Sequence, residues 1–311
     1  MHNNIIINFP SNIGDAIMSL PVVEAISGNF AQSEITAIVS PNTKQFLARY
    51  NLINNVVLFD KRWNLGKKVK FAFSLRHKYD IFIDLKNTML PVVAGAKKRT
   101  SFIRRFSKEK HKKDTHLSLI KKFCEVKGER KGKFMLSDAE QCEWDKLELK
   151  DAIFVCCASR SHIKQYAQKQ LKEVIEYLKR NDSVIILGEE RDREYYKDIV
   201  MLEGVIDLVG KTRMWDIAYL IDKYAKLVLA VDSSILHLSS FLNKPIVALF
   251  GPTDPDKFGP WSEKFVVVRN SEVKCSPCEI AVCRYNVECM DIGSGEVIAA
   301  VNKIGVSIIE Y

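Results

Sequence analysis

The residue types best suited to chemistry are concentrated in residues 232–255, DSSILHLSSFLNKPIVALFGPTDP. This stretch follows the apolar residues 226–231, which are typical of a buried strand. We expect a short helix with Asp232 as its N-cap, ended by Pro245, and then a second strand at 246–250. A helix start behind a parallel strand offers unpaired backbone N–H groups and a positive dipole end, which suit phosphate. The pattern therefore predicts one wall of an anion-binding crevice.

Asp15 is a candidate general base. It follows a turn that ends at Gly14 and stands at the start of a predicted helix. A carboxylate in that position could take the proton of an attacking hydroxyl. The alternative is a helix N-cap, which the residue type alone favours.

Three loops that follow predicted strands contain further candidates. Lys164 lies in ASRSHIKQY, where residue type alone predicts a surface lysine. Glu190 follows Gly188 at a strand end, where acidic residues often bind ribose; Glu189 competes with it, and a solvated acid at a helix start is the alternative. Thr212 closes a Gly–Lys–Thr turn that an ordinary helix start would explain equally well.

Four cysteines lie close together near the end of the chain, with spacing C-x2-C-x4-C-x5-C. Four thiolates can form a tetrahedral metal site, and the first spacing favours one. Four reduced thiols, or a disulfide formed under oxidative stress, are the alternatives. A metal here would be structural, because the pattern implies no open ligand position. The four are Cys275, Cys278, Cys283 and Cys289.

Short apolar segments alternate with helical patterns along the chain, which predicts parallel, doubly wound sheets. We expect strands at 5–9, 35–39, 56–59 and 81–85 in a first half, and at 153–157, 183–187 and 206–208 in a second. Residues 128–150 are polar without a core period and are interpreted as a connection. The predicted domains are therefore residues 1–150 and 151–311, the second including the cysteine tail 275–289.

The charge of the chain is unevenly distributed. Of a net +9 over 311 residues, residues 97–113 contribute nine Lys/Arg against one Glu. Such a segment favours an anionic partner: nucleic acid, an acidic lipid surface or a phosphorylated substrate; a solvated loop is the alternative. The N-terminal residues are typical of a strand rather than a signal peptide, and no apolar run is long enough to span a bilayer, so we expect a cytoplasmic protein.

The motifs together resemble glycosyltransferase family nine, the ADP-heptose:lipopolysaccharide heptosyltransferases. The resemblance rests on PSNIGDAIMSLPVVEAI at 10–26, the lysine loop, DSSILHLSSFLNKPIVALFGPTDP and the cysteine tail, in that order. It implies an α/β fold of GT-B type, with two Rossmann-like doubly wound parallel-sheet domains facing across a cleft. The N-terminal domain would bind the acceptor and the C-terminal domain the nucleotide-sugar. The reaction would be inverting transfer of heptose from ADP-L-glycero-D-manno-heptose to the lipopolysaccharide inner core.

The resemblance also assigns roles to residues. Asp15 would be the catalytic base, and Lys164 would stabilise the departing ADP. The resemblance implies that no cofactor is required for catalysis, and that the cysteine tail could hold a structural iron or zinc. The family usually has Gly where this chain has Ser234, and a lone histidine such as His237 is more often structural. The implied substrate-binding residues are Ser11, Asn12, Gly14, Ser159, Glu190, Thr212, Asp232, Ser233, Ser234, His237, Gly251 and Thr253.

The expected partners are an ADP-heptose donor and a lipid-anchored anionic oligosaccharide acceptor, without nucleic acid. The basic segment would meet that acceptor at the cytoplasmic face of the inner membrane, with peripheral contact through Phe102, Ile103 and Phe106. A family member that acts on a protein, or uses another nucleotide-sugar, is the main alternative. A nucleic-acid-binding protein is less favoured, because Asp15, Lys164 and Asp232 would then have no role.

Overall fold

The computed structural model describes residues 3–101, 109–126 and 130–305. The chain forms two compact units, Met1–Met135 and Leu136–Tyr311. Much of the predicted basic segment, including Phe102, Ile103 and Phe106, lies outside the described residues. No helix within the described ranges is both long and apolar enough to cross a bilayer.

The first unit is built on a parallel sheet of five strands with the order β3-β2-β1-β4-β5. Three of the apolar runs predicted as strands form its buried centre, and the run predicted at 56–59 forms a half-buried edge strand. The strands are β1 (Asn4–Asn8), β2 (Glu34–Val39), β3 (Asn55–Leu58), β4 (Ile81–Asp84) and β5 (Lys98–Arg99). The helices are α1 (Ile13–Ile17), α2 (Leu20–Asn29), α3 (Lys44–Ala48), α4 (Leu65–Ser74), α5 (Leu90–Val93) and α6 (Lys112–Ser118).

The second unit is built on a parallel sheet of six strands with the order β11-β10-β9-β6-β7-β8. The strands are β6 (Ala152–Cys156), β7 (Val184–Ile186), β8 (Val205–Asp207), β9 (Ala225–Val231), β10 (Ile246–Leu249) and β11 (Phe265–Val268). The helices are α7 (Asp138–Asp145), α8 (Gln168–Leu178), α9 (Arg193–Val200), α10 (Met214–Tyr224), α11 (Ser234–Phe241), α12 (Pro255–Phe258) and α13 (Ser294–Gly305).

Each sheet has one point at which the strand order reverses. In the first unit β1 pairs with both β2 and β4, so the reversal lies between β1 and β4. In the second unit β9 pairs with both β6 and β10, so the reversal lies between β6 and β9. The loops that leave two such strands diverge to opposite faces and open a crevice at their carboxyl ends. The sheet topology thus marks one binding position in each unit.

The boundary between the two units follows Met135, earlier in the sequence than the expected boundary at residue 150. Part of the polar stretch interpreted as a connection forms α7, which belongs to the second unit. Its Asp145 accepts hydrogen bonds from Tyr224 Oη at 2.6 Å, Tyr219 Oη at 2.8 Å and Lys223 Nζ at 2.9 Å. Trp144 is the buried residue of this helix, and the other contacts described are polar or charged, which explains why no apolar period indicates it.

The helix expected from Asp15 to about residue 29 is interrupted. α1 ends at Ile17 and α2 starts at Leu20, with Pro21 in its first turn, where proline is tolerated. The Ser19 hydroxyl donates to the carbonyl of Asp15 at 2.8 Å and lies 2.9 Å from His116 Nδ1. The break separates the short helix that contains Asp15 from the longer helix that packs on the sheet.

Candidate active site

An ion pair joins two of the predicted site residues at the strand reversal of the second unit. Lys164 Nζ lies 2.6 Å from Asp232 Oδ2. Lys164 ends a single 3-10 turn in the loop after β6, and Asp232 directly follows β9, so adjacent strands bring the two side chains together. Asp232 is 7% exposed and Lys164 is 28% exposed. A cation that is partly open to solvent and held by a buried carboxylate can turn toward an incoming anion.

The helix behind this ion pair starts one residue later than expected. Ser233 is the N-cap of α11, and its hydroxyl accepts from the backbone N–H of Leu236 at 3.4 Å. The prediction that Asp232 caps the helix is therefore wrong, because its carboxylate pairs with Lys164 instead. The helix also ends at Phe241, before Pro245. Ser234 is the first helical residue, so its backbone N–H is one of the groups without an intrahelical partner.

His237 lies one turn along α11 and faces the same carboxylate. Its Nε2 is 3.6 Å from Asp232 Oδ1, and the ring stacks on Trp261 with centroids 6.1 Å apart. The side chain is buried. This buried, stacked position fits the structural role expected for the histidine, with its ring beside the carboxylate oxygen that does not contact Lys164. Trp261 was not among the predicted residues, because no spacing in the sequence links it to His237.

The two acidic residues after β7, Glu189 and Glu190, make different contacts. Glu189 accepts from Arg160 Nη2 at 2.9 Å and from Arg191, and it caps the following turn together with Asp192. Burial alone would raise the pKa of Glu189, but these hydrogen bonds outweigh it and lower the pKa. Glu190 is 73% exposed, and its Oε1 lies 3.2 Å from Arg193 Nε. Glu190 is thus the more accessible carboxylate.

Gly210 lies against Glu190 and shows why a glycine occurs there. Its φ is +70°, and an added Cβ would come within 2.0 Å of Glu190 Oε2. The backbone N–H of Gly210 donates to the carbonyl of Gly188 at 2.9 Å. The loops after β7 and β8, which hold Glu190 and Thr212, are therefore packed together.

The remaining predicted donor residues lie on loops of the same unit. The Thr212 and Thr253 hydroxyls are buried without a hydrogen-bond partner among the described residues. A buried hydroxyl left unsatisfied costs about 1–3 kcal/mol, and such groups are often completed by water or ligand. Ser159 Oγ accepts from the backbone N–H of Ser161 at 3.3 Å, which shapes the loop that leads to Lys164.

The cysteine segment packs directly under the loop that contains Gly251 and Thr253. The backbone N–H groups of Cys278 and Glu279 donate to the carbonyl of Pro252 at 3.1 and 2.8 Å. An added Cβ on Gly251 would lie 2.5 Å from Met290 Sδ, so a larger residue would displace the Met290 side chain. The cysteine segment therefore supports the loop that contains Gly251 and Thr253.

The four cysteines line one cavity of about 500 Å³, which Ile163 and Pro252 also line. Cys275 is exposed and Cys289 is buried. Burial raises the pKa of the Cys289 thiol, and the neighbouring Cys278, Cys283 and Cys275 raise it further. Yet among the described residues no three His, Cys, Asp or Glu side chains are gathered closely enough to hold a metal ion. The thiols share a cavity but are not arranged as a ligand set, and a metal here stays a prediction.

Asp15 lies at the strand reversal of the first unit. Asn12 is the N-cap of α1, so Asp15 is not the cap; it is in the first turn and accepts from Asn12 Nδ2 at 3.5 Å. The carbonyl of Ser11 accepts from Ser40 Oγ at 2.9 Å, which fixes the loop that ends at Gly14. Asp15 remains partly exposed and has no ion-pair partner in the described part of the chain. Its role as general base stays a prediction.

A buried polar pair on the neighbouring strand was not predicted as part of the site. Asn8 Nδ2 donates to Asp84 Oδ1 at 2.8 Å, at the carboxyl ends of β1 and β4. Asp84 also accepts from the backbone N–H of Lys86 at 3.0 Å. The sequence did offer one indication of this pair, because Asn8 and Asp84 are the polar residues at the ends of two apolar strands. The pair orders the loop beside the one that leads to Asp15.

The sequence profile of glycosyltransferase family 9 (heptosyltransferase) matches residues 68–287. The chain belongs to this family. It is 24% identical to lipooligosaccharide heptosyltransferase 2 of Haemophilus influenzae, over 86% of this chain and 88% of that one. It is also 24% identical to lipopolysaccharide heptosyltransferase 3 of Escherichia coli K12, over 94% of this chain and 95% of that one. The expected family is thus confirmed, and the chain is a glycosyltransferase.

The fold is similar to that of solved heptosyltransferases. Escherichia coli ADP-heptose lps heptosyltransferase II superposes with a TM-score of 0.75 at 22% identity, over 97% of this chain and 98% of that one. The iron-containing dodecameric glycosyltransferase TibC of enterotoxigenic Escherichia coli has a TM-score of 0.61 at 15% identity, over 97% of this chain and 76% of that one. The predicted α/β fold of GT-B type, with two Rossmann-like parallel-sheet units, is confirmed.

Proposed function

We propose that this protein is an inverting heptosyltransferase of lipopolysaccharide core assembly, with ADP-L-glycero-D-manno-heptose as donor. The observation that carries the proposal is the Lys164–Asp232 ion pair at the strand reversal of the second unit, in a chain of family 9. Lipopolysaccharide heptosyltransferases among the similar proteins support the sugar and the acceptor class. The cytoplasm, where nucleotide-sugars are made, is the expected compartment.

The donor diphosphate would lie between Lys164 and the start of α11. Lys164 supplies a full positive charge, and the unpaired backbone N–H groups behind Ser233 add the positive end of the helix dipole. When Lys164 turns to the phosphate, Asp232 is freed to accept hydrogen bonds from the sugar hydroxyls. Glu190, the more exposed acid, would bind the ribose, with Thr212 beside the base.

In the transfer, an acceptor hydroxyl oxygen attacks the anomeric carbon of heptose, and the bond from that carbon to the β-phosphate oxygen breaks. The electron pair leaves with ADP, and the hydroxyl proton passes to the Asp15 carboxylate. Lys164 stabilises the charge that develops on the leaving group. Attack from the face opposite to the phosphate inverts the anomeric centre.

The acceptor would be a lipid-anchored, negatively charged core oligosaccharide bound by the first unit. A basic pocket of this unit supports the proposal: Lys97, Lys98 and Arg99 of the basic segment line it together with Lys122. The similar proteins include enzymes named heptosyltransferase 2 and heptosyltransferase 3, so these names do not select one acceptor sugar for this chain. Transfer assays with several core acceptors identify it.

The assignment of Asp15 is tested by ADP release from ADP-heptose in the presence of core oligosaccharides. We expect Asp15→Ala to lower turnover by about 10²–10⁴-fold, the range for loss of a general base, with donor binding unchanged. Full turnover by Asp15→Ala would remove the base assignment. Thermal stabilisation by UDP but not by ADP would instead favour the alternative that this family member uses another nucleotide-sugar.

A further inference from the structure

Helix α4 presents a stripe of large apolar side chains to solvent. Leu65, Val69 and Phe73 are 76%, 45% and 53% exposed. Their spacing of four residues places them along one side of the helix. Because a surface helix normally turns its apolar residues inward, three such residues in a row on the outer side need an explanation.

The helix has a second apolar side that is already used. Phe71 and Leu75 are buried and pack with Phe82 and Ala94 in a core cluster of the first unit. Asn64 caps the helix by accepting from the backbone N–H of Lys67 at 2.8 Å. The helix is thus anchored by its inner side and its cap. The three residues of the outer stripe are not part of this core cluster.

The stripe is surrounded by positive charge. Residues 61–78 contain seven Lys/Arg and no Asp or Glu. Lys67 Nζ lies 4.3 Å from the centre of the Trp63 ring, and Arg76 lies 5.4 Å from the Phe73 ring. Lys70 and Lys78 are exposed. One of the seven, Arg62, is paired with Asp60 at 2.6 Å. An exposed apolar stripe flanked mainly by cations is the pattern of helices that lie in the interface of an anionic bilayer.

The surface continues onto the neighbouring helix. α5 packs against α4, and its Leu90 joins the same core cluster. Met89 and Val92 of this segment are exposed. Val92 also lines the basic pocket with Lys97, Lys98 and Arg99. Apolar and basic side chains therefore extend from α4 to the proposed acceptor pocket on the same unit.

We propose that α4, with the exposed residues of α5, is the surface by which this protein binds an anionic phospholipid bilayer. Leu65, Val69 and Phe73 enter the interfacial region, and the flanking lysines and arginines meet the phosphate headgroups. Charge selects this occupant over a second copy of the chain, because two copies would bring like charges together. The surface does not depend on the identity of the donor sugar and lies outside the donor-binding unit.

The test is co-sedimentation of the full chain with phosphatidylcholine vesicles, with and without about a third phosphatidylglycerol. We expect binding to the anionic vesicles only, weakening as salt is raised. Leu65→Ser/Phe73→Ser should weaken that binding about tenfold, and Lys70→Glu/Lys78→Glu by a similar factor. All variants should keep the ADP-induced thermal shift of the wild type, which separates loss of membrane binding from loss of the donor site.

Matched controls lie on the second unit. Met201→Ser removes an apolar side chain that is 83% exposed, and Lys169→Glu/Lys172→Glu reverses two exposed charges on α8. These variants should bind vesicles like the wild type. The proposal is overturned if the wild type does not co-sediment with anionic vesicles, or if the α4 variants bind those vesicles as strongly as the control variants do. It is equally overturned if light scattering shows that Leu65→Ser/Phe73→Ser abolishes a dimer, since the stripe would then be a contact between copies.

Discussion

Replacement of Lys164 by methionine separates the chemical role of the Lys164–Asp232 pair from its structural role. At 2.6 Å and an effective dielectric constant of about 20, the two charges attract by about 6 kcal/mol, most of it offset by desolvation. Removing one partner of a fully buried pair costs about 3–5 kcal/mol. Because Lys164 is partly exposed, we expect Lys164→Met to lower the free energy of unfolding by about 1–3 kcal/mol.

The effect of Lys164→Met on turnover should be larger than its effect on stability. A second substitution that restores stability should not restore turnover. Loss of a group that stabilises a developing negative charge costs about 10²–10³-fold in kcat. Lys164→Met/Asp232→Asn removes the unpaired carboxylate and should regain most of the lost Tm, yet turnover should stay low. Differential scanning fluorimetry and ADP release measure the two quantities on the same samples.

The matched control is Lys226→Met. Lys226 Nζ lies 2.6 Å from Asp182, the same separation, but at the amino end of β9 rather than its carboxyl end. It should cost some stability and leave kcat unchanged. The assignment of Lys164 to the leaving group is refuted if Lys164→Met and Lys226→Met lose stability alike and both retain full turnover.

Three further predictions concern other parts of the chain. Gly210→Ala should weaken ADP-induced stabilisation several-fold, because positive φ is unfavourable for alanine and its Cβ would displace Glu190; unchanged ADP affinity would contradict this. Hydrogen bonds from Tyr224, Lys223 and Tyr219 lower the pKa of Asp145 to about 2, so its stabilising effect is present above its unfolded pKa of about 4 and is lost as pH falls toward 2. Urea unfolding should therefore show Asp145→Asn less stable than wild type at neutral pH, with a gap that closes in acid; a constant gap would count against the cluster. Iodoacetamide should alkylate Cys275 well before Cys289, whose thiol is buried and has a raised pKa, as followed by peptide mass spectrometry; equal rates, or protection of both by a metal found in the purified protein, would show a different arrangement.

The two parallel sheets were predictable because their strands are short apolar runs separated by helical patterns. Asp232 was predicted from its place after such a strand, whereas the role of Lys164 was predicted from the family resemblance, because residue type alone indicates a surface lysine. Their contact was not, because it joins residues 68 positions apart and depends on β6 lying beside β9. Strand order is set by the packing of the whole sheet, which no local pattern encodes.

Where prediction failed, a polar contact had overridden a local preference. Asp232 is a good N-cap by type, but the pairing with Lys164 takes its carboxylate and leaves the cap to Ser233. α7 was interpreted as linker because it buries a single large apolar residue, Trp144, and its neighbour Asp145 makes polar contacts that no apolar period indicates. The cysteine spacing indicated a shared location, and the four thiols do line one cavity, but spacing does not determine how they are oriented within it.

The most direct test of the proposed function is the transfer reaction itself. Purified protein is incubated with ADP-heptose and truncated lipopolysaccharide cores of defined length, and the products are identified by mass spectrometry. We predict that one core acceptor gains a single heptose for each ADP released. Folded protein that binds ADP-heptose, leaves every core acceptor unchanged and transfers heptose to a polypeptide, or that turns over only another nucleotide-sugar, would contradict the proposal.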